Sequence, residues 1–65
     1  METIDIRKQR TTTTPSLIGR KNCELILTKR QFHRMNDFYS SIRVNIFQEC
    51  RERNVVLVIK EIGEE

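Results

Sequence analysis

The chain has 65 residues, with twelve Lys and Arg against nine Asp and Glu and a formal charge of +3. A chain of this length holds one domain, whose core buries roughly 60% of the surface that the unfolded chain exposes, and it leaves little room for a substrate cavity. Its longest apolar run, Val55–Ile59, is far short of the roughly 20 residues that span a bilayer. Two cysteines, Cys23 and Cys50, and one histidine, His33, cannot assemble a four-ligand zinc site. Neither metal nor cofactor is expected. No cationic and apolar leader precedes the cysteines, so they are read as reduced, and an intracellular setting, cytoplasmic or nuclear, is expected.

The charge is uneven. Residues 1–22 carry five bases against two acids, whereas residues 54–65 carry one base against three acids. An anionic partner at the N-terminal part is consistent with that asymmetry. Residues 1–17 contain Arg7, Lys8, Arg10, a run of four threonines and the only proline, Pro15. So polar a segment predicts a flexible basic arm, with the folded domain spanning 18–65. The alternation Ile4-Asp5-Ile6-Arg7 fits an edge strand only in a suitable context.

Gly19 marks a turn before Arg20 and Lys21, and Glu24-Leu25-Ile26-Leu27 reads as a strand. Thr28 with Gln31 three residues on forms a capping box, so a helix is predicted from Lys29. Phe32, Met35, Tyr39, Ile42 and Ile46 then recur at spacings of three and four, on one stripe of that helix. Val44 falls on the opposite face, and Ile42 to Ile46 also alternates as a strand would. The reading favours one long helix, because Glu49 and Arg53 form an i,i+4 pair and Asn54 makes a suitable stop. Val55 to Ile62 is the strongest strand, apolar enough for burial on both faces, and Gly63 ends it. The expected fold is α+β: a small antiparallel sheet covered by one long amphipathic helix.

Chemistry has few footholds. His33 has only Asp37 as a neighbour at i+4, with no nucleophile beside it, so no catalytic residue is assigned. Gly19 and Gly63 are the only glycines, which excludes a phosphate loop. Binding has more support. Arg20 and Lys21 precede the first strand and Lys29, Arg30 and Arg34 follow it, roughly 25 Å apart if the strand lies between them. Phe32 or Tyr39 offers a stacking face for a base, and Arg7, Lys8 and Arg10 offer phosphate contacts.

Gly19-Arg20-Lys21, an aliphatic strand, and then Leu27-Thr28-Lys29-Arg30-Gln31-Phe32 resemble the single-stranded-DNA-binding domain of the positive-cofactor-four transcriptional coactivators. The likeness covers residues 19–42 and has two additional residues between turn and helix. It implies a dimeric binder with Arg20, Lys21 and Phe32 near the nucleic acid. The function expected is therefore non-catalytic, sequence-tolerant binding of single-stranded DNA or RNA, in transcription or replication. The alternative is a protein-interaction module, such as a viral accessory or inhibitory protein docking through its helix. Self-association as a homodimer is expected through Phe38, Val44, Phe47, Val56 and Val58, apolar residues that one helix and one sheet leave over.

Overall fold

In the strand β2, Cys23–Leu27, Cys23, Leu25 and Leu27 are buried while Glu24 and Ile26 are half-buried. A strand sends successive side chains to opposite faces, so that pattern means a sheet covered on one face. The structure, a computed structural model, describes residues 1–9 and 14–63. β1 (Glu2–Asp5) and β3 (Val55–Ile59) flank β2 in the order β1-β2-β3. Both pairings are parallel, with Ile4 and Leu57 on either side of Leu25.

The sheet is therefore all-parallel, which corrects the antiparallel expectation. Its cause is the crossover. After Leu27 the chain runs through α1 (Lys29–Ser41) and α2 (Ile46–Arg53) and re-enters the sheet with Val55 beside Cys23, at the same end where β2 began. Parallel strands need a crossover connection of a dozen or more residues, usually a helical one.

The expected single helix is two helices. Thr28 caps α1 as predicted: its Oγ1 accepts from the Gln31 N–H at 3.1 Å, and Gln31 Oε1 accepts from the Thr28 N–H at 2.8 Å. The helix ends at Ile42, where Arg43 turns to φ 60°. The Arg43 N–H then donates to the Ser40 carbonyl and the Val44 N–H to the Tyr39 carbonyl. This is the Schellman termination, with arginine where glycine is usual. Asn45 restarts the helix, its side chain accepting from the N–H groups of Phe47 and Gln48 at 2.9 and 3.2 Å. An unbroken helix over 29–53 would be about 37 Å long, longer than the 32 Å greatest extent of the molecule. The break also returns Val44 to the side of the core, against which it packs.

The N-terminal segment is not an arm. Glu2–Asp5 is a strand, and the Ile6 N–H continues its ladder to the Ile26 carbonyl at 2.9 Å. Ile6 and Leu17 are fully buried in one cluster with Leu25, Leu27, Met35 and Ile46. Burying such a side chain stabilises the fold by about 1.5–3 kcal/mol. The Leu17 N–H donates to the Tyr39 hydroxyl at 2.8 Å, and Arg53 donates to the Leu17 carbonyl at 3.0 Å. The fold therefore includes both ends of the segment assigned to the arm. Arg10 and Thr11 to Thr13 lie outside the described residues.

All the helical cover lies on the side of Cys23, Leu25 and Leu27. Alternation and register put Thr3, Asp5, Glu24, Ile26, Val56 and Val58 on the other face, where Val56 is 46% exposed. Among the described residues no element covers that face, and the molecule is only 16 Å thick.

Candidate functional site

The basic residues singled out for nucleic acid are divided between the two ends of the sheet. At the end where β2 and β3 begin, Arg20 and Lys21 line an open cleft of about 480 Å³ together with Asn22, Glu52, Arg53 and Asn54. The cleft takes its form from three left-handed residues, Gly19, Asn22 and Asn54, and from the Asn54 side-chain amide donating to Asn22 Oδ1 at 3.0 Å. Arg53 contributes a third cation there, although one of its nitrogens is held by the Leu17 carbonyl and another lies 3.9 Å from Glu49.

At the opposite end, the first turn of α1 carries Lys29 and Arg30, both exposed, with Arg34 half-buried one turn on. A second groove, of about 400 Å³, is lined here by Arg7, Arg30, Gln31 and Glu61. The positive end of α1 is already served, because the Lys29 N–H donates to Glu61 Oε1 at 3.3 Å. Arg7 is also engaged within the fold. It grips the Asp5 carboxylate through Nε and Nη2 and donates to the Glu61 carbonyl. Those bonds hold Asp5 down at about 2, well below its ordinary 3.8. Lys8 is exposed in the turn after β1.

Phe32 is half-buried, its ring 6.1 Å from that of Phe47 and 6.0 Å from His33. It stands on α1, with the whole of β2 between it in the chain and the Arg20–Lys21 turn. The sheet face between the two basic ends carries Glu24 and Asp5 around Ile26, with no exposed aromatic ring. That face does not form the basic, aromatic platform on which single strands stack.

The residues expected at a dimer contact are likewise split. Phe38 and Phe47 are exposed on the helical layer, 44% and 63% respectively, and Val44 packs on the core. Val56 and Val58 lie on the uncovered sheet face, on either side of the position facing Leu25. Buried on the covered face, Cys50 has its thiol pushed up by burial first, with Glu49 and Cys23 adding to the shift. No group of three or more metal-ligating side chains occurs among the described residues, and none of their helices is long and apolar enough to cross a membrane.

What residue-by-residue reading missed is the edge. β3 is the last strand of the sheet, and one of its two sides has no strand beside it among the described residues. The Cys23 N–H donates to the Asn54 carbonyl and the Lys60 N–H donates to the Leu27 carbonyl. In a parallel ladder the residues turned to one neighbour alternate with those turned away. Val56 and Val58 thus bond inward to β2, while Val55, Leu57 and Ile59 direct N–H and C=O outward. The signal for this lay in the run itself: five apolar residues without a charge or proline are what an edge strand ordinarily avoids. β1, at the other edge, has only four residues and carries Glu2 and Asp5. Comparison of the chain with protein-family models, curated proteins and solved structures finds no match.

Proposed function

We propose that this domain is a non-catalytic protein-interaction module that accepts an extended strand along β3. The observation that carries the reading is the outward row of backbone groups at Val55, Leu57 and Ile59, on a strand free of charge and proline. Backbone hydrogen bonds supply affinity in such strand addition, and alternate side chains supply selectivity. The adjoining apolar surface, Val56 and Val58 beside Ile26, extends the contact onto the sheet face. The helical layer, which the sequence nominated for docking, contributes Phe47 and Phe38 as a secondary surface.

The test is a display selection of short random peptides on the native chain, counter-selected with a synthetic chain N-methylated at Leu57. That change removes an outward donor and leaves the β2 ladder and the side chain intact. Peptides with alternating branched residues that bind only the native chain are expected. Enrichment that ignores the Leu57 amide would overturn the reading.

A second reading, sequence-tolerant binding of single-stranded nucleic acid, is favoured by the cleft that gathers Arg20, Lys21 and Arg53. In this reading the bound strand follows one end of the sheet instead of its open face. Affinity then falls with salt at a slope of about −0.7 per phosphate contact, and replacing Arg20 and Lys21 flattens it. Absence of an electrophoretic shift with any oligonucleotide at low salt would remove it.

A further inference from the structure

The strand-acceptor reading leaves the partner open, and the inference here rests on that reading. We infer that the strand added to β3 is β3 of a second copy of this chain, antiparallel to the first and centred on Leu57.

The outward residues Val55, Leu57 and Ile59 are evenly disposed about Leu57. A two-fold axis normal to the sheet at that residue sets Leu57 against Leu57 of the second copy and Val55 against its Ile59. Each is a hydrogen-bonded pair, in which two residues exchange both N–H and C=O. Every outward group of the strand is then satisfied. A register moved by two residues leaves an end of each strand unpaired, and one moved by a single residue sets outward groups against Val56 or Val58, which are already bonded to β2. A closed two-fold contact also requires one patch to match itself, which a strand of five apolar residues does.

The side chains agree with the backbone. On the open face this register sets Val58 opposite Val56 of the second copy, a non-hydrogen-bonded pair with Cβ atoms about 4.5–5.5 Å apart. Because the axis is normal to the sheet, the helical layers of both copies lie on the same side of the joined sheet, and the open faces of the two copies become continuous. β1 is the poorer seam, because it has only four residues and carries the charges of Glu2 and Asp5, of which edge strands make use against pairing.

Register is read by disulfide trapping with two single variants, Val56→Cys and Val58→Cys. A mixture of the two is expected to form an interchain disulfide under mild oxidation. Either variant alone is not, because identical positions then lie diagonally, beyond the Cα separation of about 4.4–6.8 Å that a disulfide allows. Sedimentation of the native chain is expected to give a dimer mass that N-methylation at Leu57 weakens about tenfold or more, with circular dichroism unchanged. A native chain that keeps a single-chain mass at all concentrations overturns the second copy as occupant, and leaves strand acceptance to the display selection. A dimer indifferent to N-methylation overturns both, and cross-linking by one variant alone overturns the register.

Discussion

Replacing Gln31 by methionine, which is close to it in shape and equally at home in a helix, isolates what the Gln31 amide contributes. Gln31 is buried and joins three elements. Its Oε1 accepts from the Thr28 N–H at 2.8 Å, its own N–H donates to Thr28 Oγ1, and its Nε2 donates to the Ile6 carbonyl at 2.6 Å. Methionine abolishes the first and last of these. The Thr28 N–H is left buried and unpaired, at a cost of about 1–3 kcal/mol. The Ile6 carbonyl keeps the Gln9 N–H at 3.1 Å, so its loss is only an ordinary net hydrogen bond, about 0.5–1.5 kcal/mol. The sum, about 2–4 kcal/mol, is a large share of the stability of a domain this small. In thermal unfolding followed by circular dichroism it corresponds to a drop in Tm of about 10 °C or more. Gln31→Glu retains an acceptor for Thr28 but cannot donate to Ile6 when ionised, and its Tm falls between the two. A Gln31→Met chain melting within about 3 °C of the native one would refute the claim that this amide ties β1 to α1.

Tyr39→Phe removes the hydroxyl that accepts from the Leu17 N–H and costs about 1–3 kcal/mol by leaving that donor buried; an unchanged urea midpoint would detach the 14–22 segment from the core. Asp5 titrates at about 2 while Arg7 is present, so its contribution to stability is complete above the ordinary 3.8 and is lost as pH falls through about 2. In carboxyl chemical-shift titrations, Arg7→Ala returns Asp5 to the ordinary range, and a midpoint that does not move would disprove the pairing. The Cys50 thiol is raised above the ordinary 9.0, so the folded chain keeps a proton that the unfolded chain releases and stability declines as pH rises past about 9. Cys50 should also react with an alkylating agent far more slowly in the folded chain than in urea, and equal rates would contradict its burial.

The features visible in the sequence were those set by neighbours in the chain. The Thr28–Gln31 box, the strand before it, the turn at Gly19 and the stop at Asn54 each depend on a few adjacent residues, and each appears where the local chemistry put it. The helix break was visible only as a fault, since Val44 fell on the wrong face. Over residues 42–46 a strand was weighed against the long helix, and Asn45, whose side chain caps the second helix, was passed over. Ile6 and Leu17 lie singly in polar surroundings, so no periodicity announces them, and only contacts with Gln31, Tyr39 and Ile26 give them a place in the core. Strand direction was hidden for a different reason: it depends on where the crossover delivers Val55, a matter of helix lengths and not of the strand's own residues. The run Val55–Ile59 was read as needing cover on both faces. Its covered face meets α2, while among the described residues its other face has no cover and its outer edge no strand, and composition cannot tell an open face from an open edge.

The claim on which the functional account depends is that the outward amides of β3 are paired in the associated state and the inward ones within each chain. Residue-resolved hydrogen exchange across a concentration series measures this directly. Val56 and Val58 should be protected at every concentration by their bonds to β2, while Val55, Leu57 and Ile59 should exchange freely when dilute and become protected as concentration rises. Fast exchange at Val55, Leu57 and Ile59 throughout the series would contradict pairing between copies along this edge.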